Sequence, residues 1–385
     1  MMLLRPLAAV AAALLVAAGG PAADPAAPEL AAAVRPYVER EALAGAAFLV
    51  ADKERVLGRD SVGFADIAGR APMSPDALFW IASMSKPVTA AALMILVDEG
   101  KVKLDDPVSA YLPEFAGVKV QPDKAKAEFR APARAMTVRD LLRHTSGMPF
   151  ASAAEAPTLD GLPLKDAVAS YARTPLHSDP GAKYLYANTG INTAGRIIEV
   201  TSGTSYEAFL DARLFGPLGM TDTTFWPSEA QAKRLATGYR PGEDKKGLVA
   251  TKVAQLRYPL TDRTTRHPMP GGGLFSTTDD VAKFGRMVLN GGELGGKRVL
   301  SAAAVKEMTT RQTPAEMKES YGLGWAVGGD GYGHGGAWAT NLWLNPSAGR
   351  VYVWMVQHNG FPADGGQAQG AFRRAADVKY PPAKR

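Results

Sequence analysis

The period at which hydrophobic residues recur changes along the chain, and the changes divide it into segments. Residues 28–41 carry a helical pattern, while 45–50 and, after Asp52-Lys53, 56–58 read as a pair of strands. Between Met84 and Glu99 the apolar residues Val88, Ala91, Ala92, Ile95 and Leu96 recur at helical spacing. Gly100 follows where a glycine commonly ends a helix. Further helices are predicted over 138–144, 164–174, 189–201 and 206–215, separated by Gly- and Pro-containing turns, so the middle third is mainly helical. Strand character returns over 337–344 and 350–357, which flank the turn-rich Asn345-Pro346-Ser347-Ala348-Gly349 and predict an antiparallel hairpin. Residues 351–356 are apolar without alternation, the mark of a strand covered on both faces, and a helix over 366–379 can supply one cover.

Strands at both ends with helices between them predict an α+β fold: an antiparallel sheet built from the two termini and flanked by helices, carrying an all-α insertion. On this expectation residues 24–82 and 270–385 form a discontinuous α/β domain and 83–269 a mainly helical one, with the active site at their interface. The 385 residues, 46% of them apolar, suffice for one large core or two ordinary ones.

Residues 1–23 have the layout of a secretory signal peptide: Arg5, an apolar run over 6–18, then Gly19-Gly20-Pro21-Ala22-Ala23. The run is shorter than the about 20 apolar residues that span a bilayer, and no later run is long enough. A periplasmic or secreted protein without an integral membrane segment is therefore expected. The absence of cysteine excludes disulfides, thiol nucleophiles, cysteine metal ligands and a lipoprotein anchor. A net charge of +6 is modest for this length, and the basic run Lys119, Lys124, Lys126, Arg130 and Arg134 is broken by Asp123 and Glu128 and lacks aromatics. No nucleic-acid partner is expected.

Ser83-Met84-Ser85-Lys86 sets a hydroxyl and an amine one helical turn apart at the start of the 84–99 helix. Pro87 would clash with a helical carbonyl at position 83, so Ser83 belongs to the helix entrance, where backbone N–H groups and the dipole stabilise a developing anion. Lys86 accepts the serine proton only when neutral, a state that burial favours. By itself Ser-x-x-Lys occurs by chance about once in a chain this long. Tyr186-Ala187-Asn188 follows on a connecting segment: Tyr186 could relay protons, or be a core tyrosine, and Asn188 could hold a substrate carbonyl through its N–H while its oxygen meets the lysine. His334-Gly335-Gly336-Ala337 leads into the strand expected from Trp338, with small residues that let a substrate lie along a strand edge.

These elements, with 141–149 and 271–280, resemble the serine β-lactamase and penicillin-binding-protein-like superfamily, nearest to class C β-lactamases, their esterase relatives and D-Ala-D-Ala carboxypeptidases. The resemblance covers nearly the whole chain beyond the leader. It implies the β-lactamase/transpeptidase-like fold and a serine hydrolase in which Ser83 is acylated, Lys86 is its partner and Tyr186 relays protons. It also implies an oxyanion hole from the N–H groups of Ser83 and Ala337, and substrate contacts from Asn188, His334, Gly335, Gly336 and Trp338. The third element departs from the Lys-Thr-Gly of β-lactamases, since His334 is not a permanent cation. An ester or amide substrate is expected first, with β-lactamase, carboxypeptidase or D-aminopeptidase activity as the alternative and a slowly acylating penicillin sensor as another. No cofactor is implied. Neither His-x-x-x-His nor His-Glu-x-x-His occurs, so no metal site is expected, and the Gly-x-Ser-x-Gly elbow is absent. His144 is expected to brace its loop, while Phe150, Trp338 and residues 240–268 are expected to shape the pocket.

Overall fold

The computed structural model describes residues 25–123 and 125–381. The expected export signal over 1–23, and Lys124 of the interrupted basic run, lie outside them. Seven strands form one antiparallel sheet: β1 (Gly45–Ala51), β2 (Val56–Asp66), β3 (Ala71–Pro72), β4 (Ala326–Gly328), β5 (Gly331–Gly335), β6 (Asn341–Asn345) and β7 (Arg350–Met355). Their order across the sheet is β4-β5-β6-β7-β1-β2-β3. The two ends of the chain therefore meet in the middle of the sheet, with Ala47 opposite Met355 and Ala51 opposite Val351.

Every residue of β1 is buried, and the two-residue period of a strand sorts its side chains onto two cores. Phe48 and Val50, with Tyr352 and Trp354 of β7, face helices α1 (Pro28–Glu39) and α7 (Ala368–Lys379). Ala47, Leu49 and Ala51, with Val351, Val353 and Met355, face the larger core that contains the 278–289 helix. On the first face, Phe48 lies 6.1 Å from Trp354 and 5.1 Å from Phe372, ring centre to ring centre. On the other, Gly285 brings the 278–289 helix against the sheet: a Cβ there would stand 2.7 Å from Val351 Cγ1.

Helix α2 (Ser85–Asp98) has every residue from Ser85 to Leu96 buried. A helix apolar on all sides must sit inside a core, and α2 does. It ends before Gly100, whose φ of +69° is the left-handed conformation that glycine adopts without strain. Helices α3 (Val138–Leu142) and α4 (Leu164–Ala172) pack on α5 (Asn188–Ser202), which in turn packs on α2. The helix expected over 206–215 is helical at Tyr206–Leu210 and continues as a π-helical turn, Asp211–Phe215. Among the described residues no helix is long and apolar enough to cross a membrane.

One expectation is corrected. The strand predicted from residue 337 begins at Asn341, and 336–340 form a turn in which Ala339 has φ +65°. The missing strand lies earlier, as β5, and ends on His334-Gly335. Its glycines hide it from propensity rules, yet they are required by close packing: a Cβ on Gly331 would stand 1.9 Å from the Leu344 carbonyl oxygen, and one on Gly333 2.1 Å from that of Leu342.

The Phe48–Trp354–Phe372 packing gives a direct test. Phe372→Ala should lower stability by about 3–5 kcal/mol in urea unfolding, the usual cost of emptying a buried aromatic site. The rate per folded molecule should not change, because this core is on the sheet face turned away from α2.

Candidate active site

Ser83 is placed by the strands on either side of it in the fold. Phe79–Trp80 pairs with Phe275–Ser276, Ile81 N–H donates to the Leu274 carbonyl at 3.0 Å, and the chain turns sharply at Ala82, φ +46°, before entering α2. A non-glycine residue in the left-handed region carries strain, here immediately before the serine. Ser83 lies in the 3₁₀ turn Ala82–Met84, ahead of the first α-helical residue, with Pro87 in the first turn where proline is tolerated. Ser85 locks the turn, its hydroxyl donating to the Ala82 carbonyl at 2.7 Å and accepting from Leu274 N–H at 3.2 Å.

Lys86 has no exposed surface, whereas Ser83 is partly open. The lysine Nζ stands 3.0 Å from Ser83 Oγ, 2.7 Å from Asn188 Oδ1 and 2.6 Å from the Gly271 carbonyl oxygen. The last two can only accept, so they take two N–H bonds of the amine. A neutral amine then has its lone pair left for the third neighbour, the hydroxyl of Ser83. Burial favours that state by pushing the Lys86 pKa down to about 7. The arrangement can remove a proton from Ser83 near neutral pH.

Tyr186 hydrogen-bonds to Ser83, and its ring centre lies 4.7 Å from Lys86 Nζ. Burial pushes its pKa up to about 12, only partly offset by the Ser83 hydrogen bond, so it is a phenol rather than a phenolate in the neutral range. The phenol can therefore give a proton; the amine is the group able to take one. His144 packs on the Tyr186 ring at 4.5 Å between centres, with φ +61°, and its Nδ1 accepts from Ala187 N–H at 3.3 Å. Burial holds His144 well below the usual histidine range, hence neutral. Phe150 stacks over the outer side of Tyr186 at 6.4 Å and is 49% exposed, forming the rim.

His334 is fixed in one tautomer. Its Nδ1 lies 2.7 Å from the Gly335 carbonyl oxygen, which only accepts, so Nδ1 carries the hydrogen. Its Nε2 is then the acceptor for the Tyr321 hydroxyl at 2.9 Å. Burial pushes the His334 pKa down to about 3, with the nearby Lys86 acting in the same direction. The third element thus presents a neutral ring. Among the described residues no Arg, Asp or Glu side chain hydrogen-bonds to Ser83, Lys86, Tyr186, Asn188 or His334.

Strand β4 pairs with β5 only as far as Gly333, leaving that side of His334 and Gly335 open. Gly336 must be glycine, since a Cβ would stand 2.5 Å from the Ile81 carbonyl oxygen. This contact brings Ala337 beside the serine turn, and neither Ser83 N–H nor Ala337 N–H has a protein acceptor among the described residues. Trp338 is a correction: its ring is 1% exposed, 6.4 Å from Trp80, and buried with Leu78, Val253, Leu256 and Leu260. It supports the turn from behind and offers no surface to a substrate, because its ring is packed into that apolar cluster. Sequence reasoning missed the Gly271 carbonyl and Tyr321. A backbone acceptor leaves no trace in residue identity beyond the Gly271-Gly272-Gly273 run, and Tyr321 is one aromatic among many.

The sequence profile described as Beta-lactamase matches residues 30–376. The chain belongs to the beta-lactamase family. Protein Rv1367c of Mycobacterium tuberculosis is 34% identical over 366 residues, covering 85% of this chain and 89% of that one. A putative D-alanyl-D-alanine carboxypeptidase of Escherichia coli is 29% identical over 267 residues, 66% of this chain and 59% of its own. Among solved structures, "EstCE1, a hydrolase with promiscuous acyltransferase activity" superposes with a TM-score of 0.74 at 21% identity, covering 90% of this chain and 97% of that one. That likeness establishes the shared β-lactamase/transpeptidase-like fold. As a member of this beta-lactamase family, the protein is a serine hydrolase.

The neutrality of His334 is directly measurable. In ¹⁵N NMR of histidine-labelled protein its ring should show the Nδ1–H tautomer and no titration until the pH approaches about 3.

Proposed function

We propose that this family member hydrolyses uncharged esters through a covalent acyl-Ser83 intermediate. The observation that carries the substrate class is the neutral, doubly hydrogen-bonded His334 where β-lactamases carry a lysine. A lysine there would attract a carboxylate; a ring that donates inward and accepts from Tyr321 has no charge to offer one.

Lys86 takes the Ser83 proton as Oγ bonds to the ester carbonyl carbon, and the carbonyl electron pair moves onto oxygen. The N–H groups of Ser83 and Ala337, free of other acceptors, supply the hydrogen bonds that oxyanion needs. On collapse the C–O bond to the alcohol breaks, and the Tyr186 phenol gives the leaving oxygen its proton. The proton on Lys86 returns to the Tyr186 oxygen through the Ser83–Tyr186–Lys86 cluster. Water then attacks the acyl carbonyl, again with Lys86 as the group that accepts a proton, and Ser83 leaves reprotonated. Asn188 holds Lys86 through Oδ1 and can meet a further polar group of the substrate through its N–H groups.

A chromogenic ester and a chromogenic cephalosporin, assayed side by side, test the assignment. The ester should be turned over faster, and Ser83→Ala should lower its kcat by at least about 10⁴-fold. Faster cephalosporin turnover, or equal rates for wild type and Ser83→Ala, would overturn it.

The pH dependence follows from the same geometry. Acid protonates Lys86 and removes the acceptor, so kcat/KM should fall below a pH of about 7 and reach a plateau above it. Tyr186 loses its proton only near about 12, so no basic limb is expected in the working range. The profile is read from rates on the ester over the accessible pH range.

A further inference from the structure

We infer that Asn192, backed by Tyr171 and Glu155, is a positioning group for the active-site amine: it holds the peptide at Gly271 whose carbonyl is one of the two fixed acceptors of Lys86. The inference rests on the proposed reaction, in which Lys86 takes the Ser83 proton, and adds residues that never touch substrate.

Asn188 and Asn192 are one turn apart on α5 and face the same side. The first grips Lys86 itself at 2.7 Å. The second grips the loop carrying the other acceptor, its Oδ1 accepting from Gly271 N–H at 2.8 Å. One rigid helix therefore sets both acceptors. The same loop is tied from α2, where the Thr89 hydroxyl donates to the Pro270 carbonyl at 2.8 Å. It is also pressed onto α5, since a Cβ on Gly271 would stand 3.0 Å from Asn188 Oδ1 and 3.1 Å from its Cβ.

Behind Asn192 the hydrogen bonds have only one consistent direction. A backbone N–H can only donate, so the Asn192 oxygen faces Gly271 and its Nδ2 donates to the Tyr171 hydroxyl at 2.9 Å. The phenol has one hydrogen left, and it goes to Glu155 Oε1. Glu155 Oε2 accepts Ser152 N–H at 2.7 Å. Asn192, Tyr171 and Glu155 are 2%, 1% and 3% exposed, so water does not compete with these bonds. No cation pairs with Glu155 among the described residues, and burial pushes its pKa up. Such a buried acid is unfavourable by itself. Its place at the end of a polarised chain, where each bond strengthens the next, gives it a function: it orients Tyr171, which orients Asn192.

The test uses the full-length protein and the activated ester. Asn192→Ala should lower kcat about ten- to a hundredfold with KM nearly unchanged, as expected when a reacting group is displaced by about 1 Å. The acid limb of the pH–rate profile should also move upward, because a loosened loop admits water to Lys86 and weakens the burial that keeps it neutral. Tyr171→Phe removes a single hydroxyl and decides the matter if Asn192→Ala does not fold. It should lower kcat about tenfold with the same upward shift. Phe372→Ala is the control for lost stability alone and should move neither quantity. If the variants keep kcat within about twofold and the limb stays in place, whatever happens to Tm, the inference is overturned. If Ser83→Ala is itself fully active, the reaction assignment fails instead, and the two failures are told apart.

Discussion

The structure is organised around keeping one lysine dry. An ammonium ion at Lys86 would be buried with no carboxylate to balance it, and the fold supplies instead two neutral oxygens and a hydroxyl. These partners suit an amine that donates twice and accepts once. Among the described residues, the absence of acidic groups at the site is thus as important as the presence of the serine. A carboxylate beside Lys86 would hold it charged and unable to accept a proton.

The architecture delivers the three sides of that seat from three places in the chain. The serine comes from a strained turn at the entrance of α2, the amide from the start of α5, and the carbonyl from the loop before the Phe275–Ser276 strand. None could be moved separately, because α2 and α5 pack together in the larger core and the loop is wedged between them. The sheet contributes a fourth side. The glycines of β5 let it approach β6 closely, and Gly336 just beyond it lies against Ile81 at the entrance to the serine turn.

Neutrality extends to the substrate side. His144 and His334 both stay uncharged through burial, and Tyr321 lies between them, packing on one ring and hydrogen-bonding to the other. The only ionisable group free to gain or lose a proton near neutral pH within this set is Lys86. Phe150, exposed at the rim, adds apolar surface beside Tyr186.

Much of this was legible in the sequence, for reasons that differ by element. Helix α2, the β7 strand, the covering helix at the end of the chain and the meeting of the termini in one sheet follow from hydrophobic period, a local property. Ser83, Lys86, Tyr186 and Asn188 could be nominated because their chemistry resides in side chains at recognisable spacings. Strand β5 was hidden, since close backbone packing selects glycine and erases the strand signature. The burial of Trp338 depends on what lies beneath the turn, and the sequence holds no record of that. The amino-acid order by itself determined the fold class and nominated the candidate reactive groups. Only the tertiary structure decided the protonation states of Lys86 and His334, the backbone acceptor at Gly271 and the chain through Asn192, because burial and hydrogen-bond direction are set by residues that meet in space from distant parts of the chain.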